Sequence, residues 1–230
     1  MSTFLTSSVF LGVFISFAAY QCGIIIRDKS KFSLANPLLL SIVFIIIFLK
    51  VCGIDYHTYY DGARYISYLL TPATICLAVP LYEQIKLLTR NLSAIIGGIT
   101  AGMLAGLLTV YGLCRLFHFD HASYVTLLPK SITTAIGMGV SQELGGYVSI
   151  TVAAIIATGI LGNILAEPIC KLFGIKDPVA KGIACGSAAH AMGTTKAMEM
   201  GSIEGAMSSL SLVASGVLTV VGASLFALLL

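Results

Sequence analysis

The chain has 230 residues, of which 57% are hydrophobic and only 10% charged, with a net charge of +3 and a mean hydropathy of +0.98. A soluble domain carries about a quarter of its residues as charges, so a soluble globular fold is excluded. A charge this small and scattered suggests neither a nucleic-acid-binding surface nor a polybasic lipid-binding tail.

Eight apolar segments follow one another, at 4–26, 36–54, 65–84, 91–116, 122–145, 146–173, 182–200 and 204–230. The uncharged runs 1–26, 91–114, 144–166 and 205–230 can each cross a hydrocarbon core, which takes about 20 apolar residues. Segment 36–54 is shorter and reaches across only if Lys50 snorkels to the interface. The first basic residue, Arg27, follows the first apolar run instead of preceding it, so the run reads as an uncleaved helix and not as a signal peptide. By the positive-inside tendency the connection Arg27-Asp-Lys-Ser-Lys31 is cytoplasmic and the N-terminus outside. The polar connections, such as 55–64 and 117–124, are too short to hold a soluble domain. Six cysteines, at positions 22, 52, 76, 114, 170 and 185, stand singly in or beside apolar segments without CxxC or metal-ligand spacing. They read as packing residues.

Three segments differ from the rest. Segment 65–84 carries Pro72 and Pro80; segment 122–145 carries Pro129, Lys130 and Glu143; segment 182–200 carries His190, Thr194, Thr195, Lys196 and Glu199. Proline inside a membrane helix removes a backbone hydrogen bond and persists where the freed groups are satisfied again or line a cavity. Thr71-Pro72 and Leu128-Pro129 also suit helix starts. Mixing smooth and interrupted helices in one small chain is a transporter's signature.

Charge parity bears on the same segments. Lys171, Lys176 and Lys181 mark a second cytoplasmic connection, and the segments between it and Arg27–Lys31 are five in number. Five full crossings would put the two basic loops on opposite sides, so at least one segment is expected to be re-entrant. The expected fold is an all-α polytopic membrane protein of about six to eight transmembrane segments, some broken or re-entrant. It forms one membrane domain over 1–230, with an inverted repeat of halves 1–116 and 117–230 suggested by the recurrence of a broken segment followed by a smooth one.

Ionisable groups inside a membrane usually face a bundle interior or wet cavity and mark a pathway. In Leu128-Pro-Lys-Ser-Ile-Thr-Thr134, a helix start would present free N–H groups to an anion, with Lys130 adding charge and Ser131, Thr133 and Thr134 adding hydroxyls. The bland alternative is a snorkelling lysine. His190 and Thr194, four apart, share a helix face, and His190 either binds or relays a proton or is satisfied by a neighbouring carbonyl. Glu143 is a second proton-coupling candidate or the polar end of a half-helix. Lys196 and Glu199 suit a local ion pair, and Glu204 suits the first turn of the last helix. Gly98, Gly102 and Gly106 form a close-packing face. No HExxH, GxSxG or phosphate-cradling glycine loop is present, so neither an enzyme nor a cofactor or metal is expected.

The stretches Thr71-Pro-Ala-Thr-Ile-Cys-Leu-Ala-Val-Pro-Leu-Tyr82, Leu128-Pro-Lys-Ser-Ile-Thr-Thr-Ala135, Glu143-Leu-Gly-Gly146 and His190-Ala-Met-Gly-Thr-Thr-Lys-Ala-Met-Glu199 resemble the bacterial LrgB/CidB family, as does Glu204-Gly-Ala-Met-Ser-Ser209. The resemblance spans essentially the whole chain and is nearer to CidB than to LrgB. Ala189 stands where the family form has a serine before the histidine. The resemblance implies a holin-like or antiholin-like protein of the bacterial cell membrane, tied to murein hydrolase export and programmed cell death, with a small LrgA/CidA-type membrane partner. It also implies kinship with a plant plastid glycolate/glycerate translocator and with pyruvate or acetate movement, on a fold of crossed, broken helices like those of bile-acid and arsenite transporters. The expectation is a carrier of a small monocarboxylate, with Lys130, Ser131, Thr133, Thr134, His190, Thr194, Thr195, Thr71 and Thr74 around the organic acid and self-association through the glycine face. The alternative is a pore component or regulator without a substrate site.

Overall fold

The computed structural model describes residues 10–30, 37–69, 72, 75–76, 78–83, 85–90 and 92–230. The chain is helical, and among the described residues no strand occurs. It divides into two compact units, Met1–Cys76 and Leu77–Leu230.

In the first unit, α1 (Leu11–Ser30), α2 (Pro37–Cys52) and α3 (Tyr56–Ser67) pack together. Gly12 lets α3 come against α1, since a Cβ there would strike the backbone of Tyr59, Gly62 and Ala63; Ser16 Oγ and Tyr59 Oη lie 2.8 Å apart beside it. The polar connection 55–64 is itself a helix. Asp55 Oδ2 accepts a hydrogen bond from His57 N at 2.8 Å, capping α3, whose exposed Tyr56, Tyr60 and Tyr65 suit a membrane–water interface.

The second unit runs α4 (Ala78–Glu83), α5 (Ile85–Arg90), α6 (Leu92–Leu116), α7 (His121–Leu127), α8 (Thr134–Glu143), α9 (Val148–Leu172), α10 (Pro178–Met200) and α11 (Ser202–Phe226), closed by a 3-10 turn at Ala227–Leu229. Among the described residues α1, α6, α9 and the last helix are long and apolar enough to cross a membrane, and Leu39–Cys52 is a shorter apolar helix. This is a polytopic membrane protein.

Two of the apolar segments turn back on themselves. The first is α7–α8. Thr151 Oγ1, on α9, lies 2.9 Å from the Thr126 carbonyl and 2.6 Å from Ser141 Oγ, so the last turn of α7 lies beside the outer end of α8. Further in, a Cβ on Gly137 would stand 3.4 Å from the Pro129 carbonyl. The chain therefore goes in through Pro129, turns at 130–133, and returns along α8. Pro129 does not start a helix as the sequence suggested. Lys130 N and Ile132 N instead donate to the carbonyls of Leu127 and Pro129 at 3.2 and 3.3 Å, and α8 begins five residues after Pro129, at Thr134, behind the N-cap Thr133. Burial of Leu128 and Ile132 at 2% and 1% exposure holds the turn against the local preference of proline for a first helical position.

The second hairpin is α10. Its helical backbone angles are interrupted at Ala189 (φ −133°, ψ 20°) and His190 (φ 43°, ψ −135°). Gly193, after the break, packs its Cα face on the Cys185 carbonyl before it, and Gly186 and Thr194 both lie against Ser208 of α11. The entering arm, from Pro178, and the returning arm, to Met200, are thus antiparallel. Asp177 and Pro178 open this hairpin, with Asp177 Oδ1 accepting from Ala180 N at 2.8 Å; Pro178 occupies the N-terminal position that proline favours.

The hairpins enter from opposite ends. The base of α7–α8 lies by the start of α9, and the base of α10 by its end. Helix α6 followed by the first hairpin, and α9 followed by the second, are therefore two helix–hairpin units of inverted direction. The re-entrant α7–α8 lies in one of the proline-bearing segments where the charge pattern led to a re-entrant stretch being expected. Lys171, Lys176 and Lys181 gather at the base of the second hairpin.

Candidate site at two hairpin tips

The glycines of α6 bring the tips to one level. A Cβ on Gly98 would meet Ile183 Cγ2 at 3.3 Å, one on Gly102 would meet Ser187 Oγ at 2.9 Å, and one on Gly106 would stand 3.9 Å from Ser131 Oγ. Ser187 lies just before the break of the second hairpin and Ser131 is in the tip of the first. Gly102 and Gly106 are in the middle of a 25-residue helix of about 37 Å. Both tips thus sit at mid-length of a membrane-spanning helix. The glycine face was expected to pack closely, and Gly98 and Gly102 do so within the chain, against Ile183 and Ser187 of the second hairpin.

Helix α9 seats the second tip. A Cβ on Gly159 would lie 2.6 Å from His190 Cε1 and from Met192 Sδ, and one on Gly162 would collide with Ala189. These two glycines leave the slot into which the reversal fits. His190 is 4% exposed, with Nε2 at 3.0 Å from the Ile155 carbonyl. A carbonyl only accepts, so Nε2 carries hydrogen, and in the neutral ring Nδ1 is the acceptor. Asn163 Nδ2 donates to the Met192 carbonyl at 2.9 Å. The side chain of Ile155 packs on Gly137 of α8, so one residue links the histidine to the first hairpin.

The backbone of His190 occupies a positive-φ region that glycine favours, at a cost of about 1–3 kcal/mol for another residue. His190→Gly is therefore expected to leave the purified protein about 1 kcal/mol more stable than His190→Ala, since both lose the imidazole but only glycine relieves the strain. Thermal unfolding in one detergent compares them, and equal midpoints would show that the tip is unstrained.

At the first tip Lys130 is half-buried. Its Nζ donates to Ser131 Oγ at 3.1 Å, and among the described residues it makes no ion pair. Thr133 is the N-cap of α8 without a side-chain capping bond, leaving the first N–H groups of that helix without this partner.

The matched sequence pattern now decides the family. Residues 16–229 match the LrgB-like family. The chain belongs to it. Among LrgB-like relatives, the holin-like protein CidB of Staphylococcus epidermidis (strain ATCC 12228) is 37% identical over 209 residues, 91% of each chain. The antiholin-like protein LrgB of Bacillus subtilis (strain 168) is 38% identical over 216 residues, 94% of each, and that of Bacillus mycoides (strain KBAB4) 36% over 222 residues, 96% of each. No solved structure matches the chain.

In this LrgB-like chain Lys130, Ser131, Thr133 and Thr134 gather at the first tip, and His190 stands at the second. Thr194 is one turn outward, buried, with Oγ1 donating to the His190 carbonyl at 3.0 Å and 2.9 Å from Ser208 Oγ. Thr195 is exposed and bonds to the Ala191 carbonyl. Glu143 is exposed at the outer end of α8, away from both tips. Thr71 and Thr74 lie outside the described residues. Lys196 Nζ is 3.3 Å from Glu199 and also 3.4 Å from Glu167 of α9. The Glu204 carboxylate lies over Gly201 at the start of α11. Among the described residues no group of histidine, cysteine and acidic side chains is placed to hold a metal.

Sequence reasoning missed Ser187, Ser208, Glu167 and the Ile155 carbonyl. A signal existed for one of them. Ser208, Ser211, Ser215 and Thr219 recur at helical spacing in an otherwise apolar helix and are all buried, a hydroxyl stripe; Ser211 Oγ donates to the Ile183 carbonyl of the second hairpin at 2.9 Å.

Proposed function

We propose that the chain is a secondary transporter of small monocarboxylates of the pyruvate, glycolate or lactate type, coupled to protons. The observation that carries this reading is the pair of re-entrant hairpins, entering from opposite ends, whose polar tips stand at mid-length of α6 and α9. Non-helical backbone at such depth is tolerated where it is buried in protein or lines a cavity, and discontinuous helices at the repeat interface are where transporters hold substrate. The two returning arms bring helix N-termini to the tips and the two entering arms bring C-termini, so the helix ends by themselves favour neither sign. Lys130 supports an anion. In this reading its ammonium holds the carboxylate with the first N–H groups of α8, Ser131, Thr133 and Thr134 orient the hydroxyl or keto oxygen, and His190 carries the coupled proton.

The names of the relatives, holin-like and antiholin-like, favour a second reading, a pore component or regulator in a bacterial cell membrane acting on murein hydrolases through a small LrgA/CidA-type partner. Proteoliposomes of the purified chain separate the two. A carrier gives saturable uptake of labelled acid, competed by unlabelled acid and driven by an inward proton gradient. Unselective leakage of dyes and ions without saturation supports the pore and removes the carrier.

A further inference from the structure

The two hairpins are secured at their bases by different means. At the first, Thr126, Ser141 and Thr151 are buried and joined by hydroxyl contacts, and Tyr147 N donates to Thr126 Oγ1 at 2.7 Å. No water needs to enter or leave for these bonds to persist, and breaking them would strand buried polar groups. At the second, the returning arm of α10 meets α9 through Lys196, whose ammonium lies between Glu167 of α9 at 3.4 Å and Glu199 of its own arm at 3.3 Å. The side chains of Lys196 and Glu167 are 22% and 43% exposed. They line a cavity of about 510 Å³, open to the lysine-rich end of the unit, with Lys176 and Lys181 at its wall. Lys171, Lys176, Lys181 and Lys196 share that wall with Glu167, Glu199 and Glu204, so it carries charges of both signs with a small positive excess.

From this asymmetry we infer that the returning arm of α10, 191–200, is the moving gate on the lysine-rich side, that the cavity is the entrance it guards, and that Lys196 is the latch holding the arm to α9 through Glu167. The inference rests on the carrier reading and adds to it which hairpin moves and what restrains it. Several features fit a hinged arm. Gly201, at its outer end, has the extended φ of 165° and joins it directly to α11. Gly193, in its middle, puts no side chain between it and the entering arm. Nearer the tip it meets α9 through Asn163 Nδ2, which donates to the Met192 carbonyl at 2.9 Å. A partly exposed ion pair is a weak restraint, which is what a latch opened in each cycle requires; the returning arm touches α11 through the Thr194–Ser208 hydroxyl pair at 2.9 Å and through Met198 against Gly205, while the entering arm is pressed through Gly182 and Gly186 onto the α11 backbone.

Cys185 reports the opening. It is 5% exposed on the entering arm, with Gly193 of the returning arm packed on its carbonyl. The full-length protein in liposomes is treated with a small maleimide, and labelling at each cysteine is followed by peptide mass spectrometry. Lys196→Met and Glu167→Gln are each expected to speed labelling of Cys185 about fivefold, the size of effect an exposed ion pair carries. Lys196→Arg should keep it slow, and Cys114, buried against the first hairpin, should be unaffected in every variant. Unchanged labelling of Cys185 would overturn the latch, as would an equal rise at Cys114, which would mark general loosening. The readout does not depend on transport: a wild-type protein without saturable flux removes the carrier, whereas an unresponsive Cys185 removes the gate and leaves the carrier standing.

Discussion

Gly193→Ala is expected to destabilise the second unit by about 3 kcal/mol or more, at the upper end of what overpacking costs. The added methyl would overlap the Cys185 carbonyl and lie 2.8 Å from Ala189 Cβ. Neither neighbour is the flexible end of a long side chain. The carbonyl belongs to the entering arm, which is wedged against α11, so the arms can accept the methyl only by parting, and the tip that seats His190 would be lost with them. Glycine in a helix ordinarily costs about 0.5–1 kcal/mol relative to alanine, so the sign of the change is diagnostic. Gly97 and Gly139, with nothing within 4 Å of an added Cβ, provide the contrast: alanine there should be neutral or stabilising. Thermal unfolding and the yield of monodisperse protein in detergent measure all three, and a Gly193→Ala protein as stable as the Gly97→Ala one would mean that the arms are not antiparallel.

Lys130→Met is expected to lower saturable uptake of a labelled monocarboxylate by about 100-fold. Removing one member of a desolvated charge pair costs about 2–5 kcal/mol, and about 2.7 kcal/mol corresponds to that factor. Stability should move the other way. With no acidic partner among the described residues and its stem half-buried, the ammonium is a burden on the empty protein, so methionine should unfold at the same temperature or higher. Lost uptake with retained stability is the pattern of a binding residue. A merely snorkelling lysine would show neither change, and wild-type uptake by Lys130→Met would remove this residue from the mechanism.

Much of this protein was legible before any coordinates, because the bilayer imposes a crude rule. Charges and prolines deep in apolar runs are expensive, so Lys130, Pro129 and His190 stood out by composition alone, and parity of the basic loops required a re-entrant segment. What hydropathy cannot register is direction. A broken crossing and a hairpin of the same length have the same apolar arms around the same polar middle. At 189–190 the local residues, alanine and histidine, contain no turn signal that would favour reversal. Pro129 misled for a related reason: its helix-start preference is worth less than burying Leu128 and Ile132 in the turn. The partners of the site were hidden too, since the Ile155 carbonyl is present in every residue type, and Glu167 stands far from Lys196 in sequence.

By itself, then, the sequence determined the solvent this chain lives in and the few polar residues too costly to be there by accident, since transfer energies are properties of residues and lengths. The tertiary structure alone decided that two segments turn back midway and from opposite ends. Reversal depends on gaps left on other helices, Gly159 and Gly162 on α9 and Gly102 and Gly106 on α6, and such gaps acquire meaning only when a second backbone fills them.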